Sequence, residues 1–183
     1  MKLNTKDYPK LLVRPVVVIT TVSKDGIPNA APFSFNSPVS FEPPLYGFSC
    51  APGHDTWRNI QDTGEFVVNV APEEMGNLMK ILEEKYPPEV NEIEKAGLTA
   101  EASEVVKPPR IKEAVAWIEC RLEKAVELGD HVWITGMVVA AGVREGCWDG
   151  VFKPESCNPL CHISGEFFAV NMTTKRFERA KKK

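Results

Sequence analysis

Glutamine is almost missing from this sequence: Gln61 stands alone among 183 residues, a faint sign of a hot habitat that decides little else. Long apolar runs are missing too. The longest, VVVI at 16–19 and VVAAGV at 138–143, fall far short of the roughly 20 residues that a membrane-crossing helix needs. The opening MKLNTKDYPKLL lacks the apolar stretch of a secretory signal. There is no basic excess: 22 Lys and Arg face 25 Asp and Glu, for a net charge of −3. That balance argues against nucleic acid as the main partner. The one basic run, the terminal KRFERAKKK, reads as a solvated tail rather than a binding arm. The five cysteines (Cys50, Cys120, Cys147, Cys157 and Cys161) include no CxxC pair. Odd in number and dispersed in a chain without an export signal, they are expected to be reduced thiols in a cytoplasmic protein. Walker loops, GxGxxG, GxSxG and HExxH are all absent, and no carboxylate pair stands out for acid–base work.

What is present is a globular composition, 43% hydrophobic and 26% charged, in a length that suits one domain. The first half is punctuated like a β-protein. RPVVVITTVS (14–23) is too rich in β-branched residues to favour a helix, and Asp25-Gly26 marks a hairpin. The chain then returns through AAPFSFNSPVS, turns at FEPP and runs out along LYGFSC. Pro52-Gly53 breaks that strand. His54 or Asp55 can cap a short helix that ends at Thr63, with Gly64 as its C-terminal glycine. EFVVNV is a further strand. PEEMGNLMKILEE (72–84) places Met75, Leu78, Met79 and Leu82 on one helical face. The polar stretch 85–109 reads as an irregular excursion. AVAWIECRLEKAVEL (114–128) fits a strand by its alternation and a helix by its 3.6-residue face. The Gly-containing turn into VWITGMVVAAGV favours the strand. Short strands, hairpin turns and a few helices without βαβ alternation predict a mainly β fold, an antiparallel barrel with appended helices.

Two stretches could carry chemistry. NAAPFSFNSPVSFEPPLYGFSC (29–50) is apolar, holds the single charge of Glu42 and is cut by Pro32, Pro38, Pro43 and Pro44. Ser34, Asn36, Ser37 and Ser49 interleave with Phe33, Phe35 and Phe48, and prolines release backbone groups from ladder pairing. A planar ring system with polar edges needs such a wall, although a strand corner packed by aromatics would read the same way. The adjoining GHDTWRNI sets Thr56, Arg58 and Asn59 at the opening of a helix, where free N–H groups and the dipole favour a phosphate. Its bland alternative is a capped surface helix. The C-terminal CNPLCH has no metal-finger spacing, and adjacent Cys161 and His162 would point opposite ways on a strand. Buried thiols, with no metal, are the simpler reading.

Together, RPVVVITTVSKDGIPNAAPFSFNSPVSFEPPLYGFSCAPGHDTWRNIQDTGEFVVNV and the later AGLTAEASEVVKPPRIKEAVAWIECRL, ELGDHVWITGMVV and PLCHISGEFFAVN closely resemble the flavin reductase-like family with the FMN-binding split barrel. The resemblance runs from about Arg14 to Asn171, within a single domain spanning 1–183. It implies an antiparallel Greek-key split β-barrel with a few helices. It also implies a homodimer with flavin near the subunit interface, and it settles 114–128 as strand. By the same resemblance, the Phe33–Ser37 stretch (Phe33, Ser34, Phe35, Asn36, Ser37) would line the flavin. Ser49, Cys50 and Ala51 would flank it. His54, Thr56, Arg58 and Asn59 would hold its phosphate, and His162 would stand near the ring. At His54 the family often has Lys or Arg, and CHISGEF displaces the small residue that follows the family's His-Leu. The implied activity is hydride transfer from NADH or NADPH to FMN, with a flavoredoxin-like electron carrier reduced by a partner protein as the alternative. A redox role for Cys50 beside the flavin is a further option. No catalytic side chain is required, because the flavin carries the chemistry.

Overall fold

The structure is a computed structural model, and it describes residues 1–179. The C-terminal end of the basic run, 180–183, therefore lies outside the described residues. Its described part is exposed, as a solvated tail would be.

Twelve strands are present among the described residues. They are β1 (Arg14–Pro15), β2 (Val17–Val22), β3 (Pro28–Phe33), β4 (Asn36–Phe41), β5 (Pro44–Cys50), β6 (Glu65–Val70), β7 (Ala100–Glu101), β8 (Arg110–Ile111), β9 (Ala116–Leu128), β10 (His131–Val143), β11 (Cys161–Ser164) and β12 (Phe167–Ala169). Seven of them form one antiparallel sheet in the order β3-β2-β6-β9-β10-β5-β4. The two outermost strands of that order, β3 and β4, are joined by only Ser34 and Phe35. So short a link forces the edges together, and the sheet curls into a barrel. The Ser49 N–H donates to the Phe35 carbonyl at 2.8 Å across that seam. Prolines fall where the ladder tolerates them: Pro32 on edge strand β3, Pro38 beside a register shift in edge strand β4, and Pro44 at the start of β5.

The continuous apolar run of β2 has a direct cause: both of its faces are covered. Val17 and Ile19 join Phe48, Phe66 and Ile134 inside the barrel. Val18 packs outward against Met75, Met79, Leu82 and Ile93. The segment after Pro72 uses the predicted face but not a continuous α-helix. It begins as a 3₁₀ helix (Glu73–Leu78) and widens into α2 (Met79–Leu82) only past Gly76 and Asn77, both poor helix formers. The following excursion is more ordered than its polarity predicts. Asn91 caps α3 (Glu92–Lys95) with its side-chain oxygen on the Ile93 N–H at 3.1 Å, and Ile93 is fully buried. Glu119 of β9, also fully buried, accepts N–H bonds from Glu104 and Val105 at 2.7 Å each and from Val106 at 3.2 Å. This one carboxylate ties the loop to the barrel.

The strand reading of 114–128 holds, and β9 and β10 form a long hairpin through Gly129 in the left-handed region. One expectation fails. Cys147 and Cys157 are joined in a disulfide with Cα atoms 5.7 Å apart, so these two are not reduced thiols, whereas Cys50, Cys120 and Cys161 are free and buried. Sequence spacing could not reveal that the chain between them folds back on itself, with Trp148 bridged to Phe152. Among the described residues no helix is long and apolar enough to cross a membrane.

Candidate functional site

Side-chain alternation in β5 divides its residues cleanly. Tyr46, Phe48 and Cys50 point into the barrel, so Ser49 and Ala51 face outward. The chain then turns through Pro52-Gly53 into α1 (Asp55–Thr63), which ends at Gly64 in the left-handed region as its sequence predicts. His54 is the N-cap, and its side chain makes no capping bond. Its carbonyl accepts from the N–H groups of Trp57 and Arg58. Among the described residues, the N–H groups of Asp55 and Thr56 have no acceptor.

A buried network fixes α1 against β2 and β3. Thr21 and Thr56 each donate a hydroxyl to the Asn29 side-chain oxygen at 3.1 Å, and the Asn59 amide donates to the Thr21 hydroxyl at 3.0 Å. All four residues are buried. The network places the start of α1 beside a cavity of about 360 Å³, lined by Ala31, Pro32, Ala51, His54, Thr56 and Lys85 among others. His54 titrates below its ordinary 6.5 because of partial burial, then the nearby charges of His131 and Lys85.

A second cluster lies past Pro32. The Arg14 guanidinium donates to His162 Nδ1 at 3.2 Å and to the Ile163 carbonyl at 2.8 Å, and lies 5.1 Å from the Phe35 ring centroid. The Ser34 hydroxyl lies 3.1 Å from the same His162 nitrogen. Arginine can only donate, so Nδ1 accepts and Nε2 carries the hydrogen that points to the Gly165 carbonyl at 3.2 Å. Phe35 stands 6.2 Å from the His131 ring. The three histidines of the chain thus fall along one edge of the barrel.

The structure sorts the residues that the sequence singled out. Ala51, His54 and Thr56 line the cavity, whereas Ser34, Phe35 and His162 gather around Arg14 and are not among its lining residues. Ser49 faces outward from β5 and does not line the cavity. Asn59 instead donates into the buried network, and Arg58 is exposed, pairs with Asp55 and does not line the cavity. Phe33 packs edge-on against Phe48, 5.0 Å away, as part of the barrel core. Asn36 closes the barrel seam by donating to the Pro15 carbonyl at 3.0 Å and accepting from the Tyr46 hydroxyl, and Ser37 is exposed. Cys50 is fully buried in the core and burial pushes its thiol up to about 12, which removes the nucleophilic thiolate that a redox role beside the flavin would need. Cys157 is in the disulfide, and Cys161 turns to the opposite face of β11 from His162, towards Met172.

Sequence reasoning missed Arg14, Asn29, Lys85 and His131. Lys85 lies 29 residues beyond Thr56 at the start of a polar loop, so no local spacing marks it. The histidines offered the one usable signal, because there are only three of them.

The family profile described as "Flavin reductase like domain" matches residues 10–171. A protein of Aquifex aeolicus is 43% identical over 162 residues, 85% of this chain and 83% of that one. A flavin reductase of Pseudomonas putida is 33% identical over 67% of this chain and 69% of its own. Among solved structures, nitrilotriacetate monooxygenase component B from Bacillus cereus superposes with a TM-score of 0.86 at 33% identity, covering 97% of this chain and 95% of that chain. The chain belongs to the flavin reductase-like family, and its fold is the split barrel of that family. The residues around the cavity fit a flavin. Lys85, His54 and the free N–H groups at the start of α1 share the lining with the small side chains of Ala31, Pro32 and Ala51, which leave room for a ligand, and with the carboxylates of Asp55, Glu83, Glu84 and Glu92.

Proposed function

We propose that the protein is an FMN-binding oxidoreductase that takes hydride from NADH or NADPH and passes the electrons to an acceptor. The observation that carries this reading is the cavity at the start of α1. In a chain of this family, it brings unpaired N–H groups of the helix and two basic side chains, His54 and Lys85, to the lining of one cavity. Among the described residues no element beside it is devoted to an adenine, which favours FMN over FAD. When bound, the flavin supplies the hydride and electron chemistry. The protein's part is to bind and orient. His54, Lys85 and the Asp55 and Thr56 N–H groups would hold the phosphate, and Pro32 and Ala51 would flank the ribityl chain. Ser34, Phe35 and His162 would bound the ring, with Arg14 fixing the His162 imidazole.

The same reading makes the protein a homodimer in the cytoplasm. Support for the dimer comes from exposed apolar side chains, Phe41 and Val39 on the β4–β5 hairpin and Leu128 at the tip of β9–β10. An apolar groove of about 820 Å³ walled by Trp117, Trp148 and Phe152 adds to it. Light scattering at micromolar concentration tests it, and a monomer refutes it. Anaerobic titration of the FMN-loaded protein with NADH and with NADPH tests the activity. Rapid bleaching of the flavin band names the donor. Bound flavin that stays oxidised refutes the reductase and leaves an electron carrier reduced by another protein. Failure to bind FMN refutes both.

A further inference from the structure

A bound phosphate monoester with a second pKa near 6 is close to a dianion above neutral pH, and its site must supply matching positive charge. In this chain the residue that stands at the N-cap of α1 and lines the cavity is His54, whose charge depends on pH. The nearest arginine, Arg58, is exposed, held to Asp55, and does not reach the cavity. Lys85, arriving from the segment after α2, lines the cavity beside His54, and among the described residues it forms no salt bridge.

The charges facing His54 come from every element packed around it. From α1 there is Asp55, already paired with Arg58. From β10 there is His131, whose Nδ1 lies 2.7 Å from Asp130. The segment after α2 brings Glu83 and Glu84 together with Lys85 and Tyr86, and Glu84 accepts from the Tyr86 hydroxyl at 2.9 Å. From α3 comes Glu92, buried and accepting from the Ala30 N–H at 3.3 Å. Without ligand, burial, His131 and Lys85 together disfavour a proton on His54. A dianion among these groups reverses the sign of the local field and favours that proton.

Resting on the flavin reading above, we propose that Lys85 is the fixed cation of the flavin phosphate site and His54 its proton-linked cation, so that FMN binding at neutral to mildly alkaline pH draws a proton from solvent. The proton goes to the His54 imidazole, and the phosphate stays dianionic. Any residual monoanionic phosphate would release protons, the opposite sign.

Calorimetric titration of the apoprotein at pH 7.5, in HEPES and in Tris, measures proton uptake directly. FMN and riboflavin, which lacks the phosphate, serve as probes, and the Tm of each variant checks folding. The wild type should take up a measurable fraction of a proton with FMN and none with riboflavin. His54→Gln should abolish the uptake, and so should His54→Lys, whose ammonium already carries its proton at this pH. Lys85→Met should weaken FMN by about tenfold or more and riboflavin by less than about twofold, the scale of one lost charge-assisted bond. Zero uptake in the wild type, uptake that persists in His54→Gln, or equal losses for both probes in Lys85→Met would each overturn the proposal. A protein that binds neither probe would overturn the flavin reading beneath it instead.

Discussion

Asn29 is the joint between the barrel and the phosphate end of the site, and Asn29→Ala tests both roles at once. Its side-chain oxygen accepts hydroxyl bonds from Thr21 on β2 and Thr56 on α1, and the two donors are fully or almost fully buried. Alanine leaves both hydroxyls without that acceptor. A buried donor without a partner costs about 1–3 kcal/mol, and the two losses share one site, so a combined cost of about 2–3 kcal/mol follows. For a chain of this length that lowers Tm by about 4–12 °C. The second effect is geometric. With the Thr56 anchor gone, the first turn of α1 loosens against β3, and the Asp55 and Thr56 N–H groups no longer face the phosphate in fixed positions. FMN affinity should fall by about tenfold or more, while riboflavin affinity changes by less than about threefold. Urea unfolding and fluorescence quenching of each flavin measure the two effects separately. Destabilisation with equal loss for both flavins would refute the link between network and phosphate. An unchanged urea midpoint would refute the network itself.

Glu119→Gln should destabilise by about 2–3 kcal/mol, because the amide turns donors towards backbone N–H groups that a carboxylate had satisfied. FMN affinity should stay within about twofold, and an unchanged urea midpoint would sink this assignment. Breaking the Cys147–Cys157 bond by Cys→Ser substitution at both positions should cost up to about 3 kcal/mol from loop entropy over a sequence separation of 10, read as a lower Tm that added reductant no longer changes. The apoprotein should lose stability as pH falls through 6.5. His54 has a folded pKa below that ordinary value, so the unfolded chain binds more protons in the window just beneath it, and stability rises with pH there. His54→Gln should flatten that part of the urea-midpoint profile, and a slope unchanged by the substitution would show that another group supplies it.

What the sequence discloses depends on whether a residue's neighbours in space are also its neighbours in the chain. The β2–β3 hairpin, the α1 boundaries with Gly64, and the β9–β10 pair are short-range objects. Asp25-Gly26, Gly64 and Gly129 announce them through turn chemistry alone. GHDTWRNI is local in the same sense, and two of the four site candidates in it, His54 and Thr56, do line the cavity. The other two are redirected by contacts that no local pattern encodes. Asn59 meets Thr21 from 38 positions away, and Arg58 finds Asp55 on its own helix instead of the ligand cavity. The aromatic stretch misleads for a related reason. Alternation states that Phe33 and Phe35 share a face, yet the barrel closes between β3 and β4, just where these residues lie. The chain bends there, so Phe33 enters the core and Phe35 meets Arg14 and His131 outside it. Lys85 is the clearest case. Its charge reaches His54 only because the helical segment 73–82 folds its apolar face onto β2 and β3, which returns the next residues to the mouth of the cavity. The amphipathic pattern that was read as structure is therefore also what delivers a functional cation, and the consequence becomes visible only once the barrel face that receives it is known.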